Sequence, residues 1–218
     1  MNVAIDGPAG AGKSTIAKAI AAKKGYVYVD TGAMYRAIAL FCVRSGIDLS
    51  NEAEISKLVE NVDVSLAYEN GIQQVILNGE NVTGLLRTEE VGNAASTTSV
   101  YADVRTKLVS LQQKLAAGTD VVMDGRDIGT VVLPNAQVKV YLTASVECRA
   151  KRRYDELTAK GEQCDIKVIE ADIADRDYRD MNREISPLRQ ADDAILLDSS
   201  DMGIDEVVDT IIGLIDKV

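Results

Sequence analysis

Eight residues near the start of the chain, GPAGAGKS from Gly7 to Ser14, fit the pattern G-x-x-x-x-G-K-[ST] and constrain the fold more than any other feature. Gly7, Gly10 and Gly12 let the backbone curl with its N–H groups inward. Lys13 can then reach the β- and γ-phosphates of a nucleotide, and the Ser14 hydroxyl can ligate Mg²⁺. Such a loop works between a strand and a helix, and its flanks supply both. Asn2 to Ile5 is a short β-prone run ending in Asp6, and Thr15 to Lys24 spaces its apolar residues as one helical face. The pattern predicts a binding loop for a nucleoside triphosphate.

Apolar runs bounded by turn residues recur at Val3 to Ile5, Tyr26 to Val29, Val121 to Met123, Val138 to Leu142 and Ile195 to Leu197, each reading as a buried parallel strand. Helix-period segments lie between and around them: Thr15 to Lys24, Ala33 to Arg44, Val104 to Ala116, Val146 to Lys160, Ile166 to Asn182 and Ile204 to Val218. Strands alternating with helices predict an α/β fold with helices on both faces of the sheet.

Two stretches depart from this rhythm. Asp63 to Tyr68 and Gln73 to Leu77 alternate like strands across Glu69-Asn70-Gly71, a hairpin signal, and a third extended piece is expected around Val82 and Thr83. Residues 62–87 then form a small antiparallel insertion, either decoration or a substrate-side flap. From Arg149 to Arg183, basic and acidic residues mix on two helices joined near Gly161-Glu162-Gln163. That run is either a solvated hairpin or a lid that closes arginines over a triphosphate. The length, 218 residues, suits one domain: core at about 1–61, 88–148 and 184–218, insertion at about 62–87, helical lid at about 149–183.

Composition removes several chemistries. The chain has no His, so zinc sites completed by His, Ser-His and Cys-His nucleophiles and a His base are all absent. Cys42, Cys148 and Cys164 are widely spaced and read as packing or surface thiols. A net charge of −10 argues against a nucleic-acid partner, since duplex binding rests on cations that neutralise phosphates. No stretch is apolar enough for a membrane span, and the N-terminus runs straight into the first strand without room for a secretory signal. The expected location is the cytoplasm, and the acidic, aromatic-poor composition points to a monomer.

A phosphate loop alone does not separate a kinase from a switch GTPase. A D-x-x-G switch and an N-K-x-D guanine-reading loop are absent from the sequence. The second strand runs into Asp30-Thr31-Gly32 and then Tyr35-Arg36, and the third into Asp124-Gly125-Arg126-Asp127. Ligands of such sheets sit at the carboxyl ends of the strands. Asp124 is placed to support the magnesium shell, or, on the alternative reading, to cap its own turn. Arg36, Arg126, Arg176 and Arg183 lie on segments able to converge there, and a guanidinium forks onto phosphate. Arg176, Asp180 and Arg183 fall at i, i+4 and i+7, a row able to grip a phosphate and a sugar hydroxyl, or only a ladder of ion pairs. These residues indicate a phosphorylated acceptor. A kinase for a different small acceptor and a slow nucleotide switch stay open on the residues alone.

The segments IDGPAGAGKST (Ile5 to Thr15), DTGAMYR (Asp30 to Arg36), RTEEVGNAAS (Arg87 to Ser96), Val104-Arg105, DGRDIGTVV (Asp124 to Val132) and RDYRDMNR (Arg176 to Arg183) together resemble the bacterial cytidylate kinase family, from end to end. The resemblance implies transfer of the γ-phosphoryl group of ATP to CMP or dCMP with Mg²⁺. It also implies a five-stranded parallel sheet wrapped by helices, with a monophosphate-side flap and a lid. On it, Gly7, Pro8, Ala9, Gly10, Ala11, Gly12, Lys13, Ser14 and Thr15 bind ATP. Arg36, Arg126 and Arg183 hold the CMP phosphate, and Thr31 and Tyr35 line the acceptor pocket. Arg176 and Asp180 meet the ribose, while Ser96, Arg105 and Asp127 face the base. Lys13, Asp124, Arg126 and Arg183 are the expected catalytic set, with Arg149, Arg152, Arg153 and Arg179 as candidates for added charge from the lid. Cytosine chemistry agrees with the base assignment. Its amino group needs an acceptor such as Asp127 and its O2 and N3 need a donor such as Arg105, a pattern that uracil inverts at two atoms.

Overall fold

A computed structural model describes all of residues 1–218. In chain order the elements begin with β1 (Asn2–Asp6), α1 (Lys13–Lys24), β2 (Val27–Asp30), α2 (Thr31–Arg44), α3 (Glu52–Glu60), β3 (Val64–Glu69), β4 (Ile72–Leu77) and β5 (Glu80–Asn81). There follow α4 (Glu89–Thr98), α5 (Ala102–Gly118), β6 (Val121–Gly125), β7 (Val138–Thr143), α6 (Val146–Ala159), α7 (Ile166–Asn182), β8 (Ile195–Asp198) and α8 (Ile204–Ile215). No helix is long and apolar enough to cross a membrane.

A five-stranded parallel sheet has the order β2-β6-β1-β7-β8, and a separate three-stranded antiparallel sheet the order β3-β4-β5. The α/β architecture expected from the alternating runs is the one found. In the large sheet β1 lies between β6 and β7, with Ile5 opposite Asp124 on one side and Val140 on the other. The strand order reverses at β1, so the loop leaving it opens at the position where ligands of such sheets bind.

By packing, the chain divides into two compact units: residues 1–28 with 119–218, and residues 29–118. In the first, Val3, Ala4 and Ile5 are fully buried, as a strand covered on both faces requires. Val3 and Ile5 share a core cluster with Ile16 and Ile20 of α1 and with Val208 and Ile211 of α8. The buried positions of α1 (Ile16, Ala17, Ile20, Ala21) follow the helical repeat. Helices α6 and α7 pack on each other as the expected hairpin, Gly161 ending the first with φ 79° and Asp165 capping the second by accepting from the Lys167 N–H. One strand differs from its sequence reading. Ile195 and Leu196 are 47% and 56% exposed, because β8 ends the sheet and is hydrogen bonded to β7 on one side.

In the second unit the hairpin pairs Val64 with Leu77 through Glu69 with Ile72. Asn70 and Gly71 both have positive φ, 52° and 77°, the two-residue turn whose twist matches the strands. The third strand is Glu80–Asn81, two residues long and earlier than expected; Thr83–Leu85 form a short 3₁₀ turn instead. There the Thr83 hydroxyl accepts from the Val75 N–H, so a side chain replaces a strand partner. Two helices, α3 and α4, stand where periodicity gave none. Asn51 and Thr88 cap them, accepting from the Glu54 and Val91 N–H groups. Helix α4 buries only Val91, Ala94, Ala95 and Thr98, small groups that pack beside α2 and leave a weak apolar pattern.

Candidate active site

At the carboxyl end of β1 the chain enters the glycine loop, and the geometry there demands glycine. A Cβ on Gly7 would stand 1.9 Å from the Leu142 carbonyl oxygen on β7. Gly10 has φ 76°, and a Cβ on it would meet the Arg149 stem at 3.3 Å. Helix α1 starts at Lys13, so the loop presents the N–H groups of a helix N-terminus, a ready binding place for phosphate oxygens. Lys13 is buried and donates to the Pro8 carbonyl at 2.7 Å, folding its ammonium back over the loop. Burial first, and then the neighbouring Arg126, hold its pKa well below the usual lysine range against the opposing pull of Asp124, Asp6 and Asp180.

Asp124, near the end of β6, accepts from the Ser14 hydroxyl and from the Tyr28 hydroxyl, each at 2.8 Å. The Ser14 hydroxyl and a buried carboxylate are thus in contact, and Asp124 bonds to side chains of α1 and β2 rather than capping its own turn. Both offer the hard oxygen donors that Mg²⁺ takes alongside phosphate oxygens, so the residues present fit that ion.

Asp6 is the residue that sequence reasoning passed over, noting it only as a strand end. Its two oxygens accept from the Ile128 and Gly129 N–H groups, both at 2.7 Å, just past Arg126 and Asp127. Burial is the largest influence and raises its pKa to about 6, helped by nearby Asp127 and opposed by the two backbone hydrogen bonds and by Lys13. Residues 128–132 form one π turn, closed by the Leu133 N–H on the Ile128 carbonyl. An acid directly before the phosphate loop and a D-I-G sequence after the third strand were the available signals.

The arginines of this unit sort into two kinds. Arg126 Nε donates to Asp180 Oδ2 at 2.7 Å, and an Arg183 terminal nitrogen lies 3.8 Å from Asp127 Oδ1. Burial works to raise the Asp180 pKa, yet Arg126, Arg176 and Arg183 outweigh it and hold the group below the ordinary carboxylate range. Arg183 itself caps α7 with extended backbone (φ −65°, ψ 143°), so the expected row leaves the helix at its last member. That member also donates through Nε to the Ser186 carbonyl. The lid candidates are placed otherwise. Arg149 is spent on Ala144, Ala9 and Asp177, and Arg152 donates to the Ser199 carbonyl at 2.7 Å. Arg153 and Arg179 are exposed and paired within their own helices with Glu156 and Asp175.

In the second unit, Thr31 and Tyr35 share one face of α2 at i and i+4, and Arg36 follows Tyr35 in the same helix. Asp30 caps that helix, accepting from the Ala33 N–H at 2.8 Å, and also holds Arg36 at 3.3 Å and Arg87 at 3.4 Å. The buried Nε of Arg36 has no hydrogen-bond partner, which leaves a donor available to an anion. Arg105 on α5 is buried, donates to the Ser99 carbonyl at 3.0 Å and lies over the Tyr35 ring at 5.5 Å. Ser96, half-buried on α4, meets this cluster through its carbonyl, which accepts from the Ser99 hydroxyl.

Comparison with known proteins agrees with this chemistry. A family model described as cytidylate kinase matches residues 3–217. A cytidylate kinase of Lactobacillus johnsonii is 50% identical over 217 residues, covering 100% of this chain and 94% of that protein. One from Bacillus subtilis is 46% identical, covering 100% and 97%. A solved structure of an uncharacterized protein from Eubacterium ventriosum superposes with a TM-score of 0.54 at 14% identity, over 100% of this chain and 99% of that one, a likeness of fold alone. With the family matched over nearly its whole length, a buried loop lysine over a glycine cradle and a Ser14–Asp124 contact beside it, the chain belongs to the cytidylate kinase family.

Proposed function

We propose that the chain transfers the γ-phosphoryl group of ATP to CMP and dCMP, giving CDP and dCDP. The observation that carries this reading, beside the family match, is the cluster at the ends of β1 and β6: Lys13 and Ser14–Asp124 on the donor side, Arg126–Asp180 and Arg183–Asp127 on the acceptor side.

In the mechanism, Gly7 to Thr15 cradle the donor phosphates and Lys13 places its charge on them. Ser14 and Asp124 would hold Mg²⁺, which when bound neutralises charge on the phosphate oxygens. A phosphate oxygen of the acceptor attacks the γ-phosphorus in line as the bond from that phosphorus to the β–γ bridging oxygen breaks and ADP leaves; position and positive charge supply the catalysis. No strong base is required, because the second pKa of a phosphate monoester is about 6 and the nucleophile is already largely ionised at neutral pH. Arg36, Arg126 and Arg183 bind the acceptor phosphate. Arg126 and Arg183 are paired with Asp180 and Asp127, so an acceptor phosphate competes with carboxylates for arginines that are already oriented. Asp180 with Arg176 then serves the ribose, and Asp127 with Arg105 and Ser96 the cytosine edge, while Thr31 and Tyr35 line the pocket. The insertion near 62–87 acts as an acceptor-side flap and the helical region near 149–183 as a lid on one phosphotransfer core. We read the protein as a cytoplasmic monomer whose partners are nucleotides, without a nucleic-acid or membrane partner.

A coupled assay with ATP, Mg²⁺ and a panel of CMP, dCMP, UMP, AMP and GMP tests this. Turnover of the two cytidine nucleotides well above the rest is expected, and equal or absent turnover of CMP refutes it.

A further inference from the structure

Arg149 stands apart from the other basic residues of the 149–183 run. Its guanidinium donates in three directions: Nε to the Ala144 carbonyl at 2.9 Å, one terminal nitrogen to the Ala9 carbonyl at 2.9 Å, the other to Asp177 Oδ2 at 2.6 Å. The side chain is only 4% exposed, and Gly10 is pressed against its stem. The second oxygen of Asp177 is buried with no hydrogen-bond partner.

A buried ion pair with an oxygen left unsatisfied is poor material for stability alone, because apolar packing of similar volume serves a core as well or better. Its value here lies in what it joins. The Ala9 carbonyl and the Gly10 N–H belong to one rigid peptide plane in the phosphate loop, so an anion drawing on that N–H tilts the carbonyl that Arg149 holds. A guanidinium is a planar fork, and movement at one prong is passed to the other. The other prong holds Asp177, which follows Arg176 directly and precedes Asp180 by one helical turn on α7.

We propose that Arg149 is a positioning residue that couples the phosphate loop to α7, so that a triphosphate in the loop raises the affinity of the α7 residues for the acceptor. The inference rests on the acceptor role given to Arg176, Asp180 and Arg183 above. By linkage the effect is reciprocal: the acceptor tightens the donor by the same factor.

The test is calorimetric titration of CMP into the full chain, with and without a saturating non-hydrolysable ATP analogue and Mg²⁺, for wild type, Asp177→Asn and Arg149→Lys. Asp177→Asn keeps the shape and one acceptor, and Arg149→Lys keeps the buried charge but not the three-way fork. Thermal melting identifies the variants folded at the assay temperature. The analogue is expected to lower the wild-type CMP Kd by about five-fold or more, the lower end of ordinary coupling. In each folded variant that ratio should fall below about two-fold, with analogue affinity of Asp177→Asn nearly unchanged. As a second measurement, hydrogen exchange across residues 166–182 of wild type should slow on adding the analogue alone. A wild type that binds CMP equally with and without the analogue, a folded variant that keeps the wild-type ratio, or unchanged exchange in α7 overturns the coupling alone. A wild type that binds no CMP overturns the acceptor reading, and the coupling with it.

Discussion

Replacing Asp6 by Asn removes a carboxylate whose two oxygens hold the Ile128 and Gly129 N–H groups. Two effects follow, and pH separates them. The first is fixed: an amide offers one acceptor where two are needed and turns its NH₂ toward the other N–H, leaving a buried donor unsatisfied at a cost of about 1–3 kcal/mol. The second titrates. Asp6 moves from an ordinary 3.8 to about 6 in the fold, where burial dominates and Asp127, Lys13 and Tyr141 are the charged or titratable neighbours. Between those values the native state binds more protons than the unfolded chain, so the Asp6 contribution to stability falls as pH rises and is fully lost above the folded value. At 1.36 kcal/mol per tenfold in proton affinity, that loss is about 3 kcal/mol. Asn cannot titrate, so the stability of wild type relative to Asp6→Asn should decline by most of that, about 2.4 kcal/mol, from pH 4 to pH 7. Urea unfolding of both proteins across that range gives the difference directly, and the ¹³C shift of the Asp6 carboxyl gives the native pKa independently. Parallel stability curves, or a carboxyl titrating near 4, would refute the burial argument.

Other expectations are simpler to state. Lys13→Ala should lower kcat by about 10³-fold, since electrostatic stabilisation of a transferring phosphoryl group is of that order, while the CMP KM changes far less; equal losses in both would contradict its placement on the donor side. Asp127→Ala should erase much of the preference for CMP over UMP, which in a buried hydrogen-bonding site can reach about 10⁴; retention of wild-type discrimination in kcat/KM would remove Asp127 from base reading. Gly7→Ala drives a methyl to 1.9 Å from the Leu142 carbonyl oxygen and should cost about 3 kcal/mol in denaturant unfolding, with loss of ATP binding.

Much of the fold was legible because its signals are local. The glycine loop, the Asn70-Gly71 turn and the Ile166–Asn182 helix follow from φ preferences and side-chain repeats carried by neighbouring residues. Helices α3 and α4 escaped because their apolar faces are narrow and their caps, Asn51 and Thr88, gain meaning only once a partner helix covers Ile55 or Ala94. The run Ile195–Leu197 reads like a central strand, and nothing in four residues tells an edge from an interior position; the order of the sheet does.

The site divides along the same line. Sequence by itself determined which groups the chain could bring to a phosphate, since Lys13, Ser14, Asp124, Arg126 and Arg183 stand on motifs with fixed spacing. Tertiary structure decided which of them touch: Ser14 with Asp124 across 110 positions, Arg126 with Asp180 across 54, and Asp6 with Ile128 across 122. It also reassigned Arg149 from a mobile charge to a buried joint. The reason is physical. A dihedral preference is a property of a few consecutive residues, whereas burial, pKa and ion pairing depend on what a fold places beside a side chain from elsewhere in the chain.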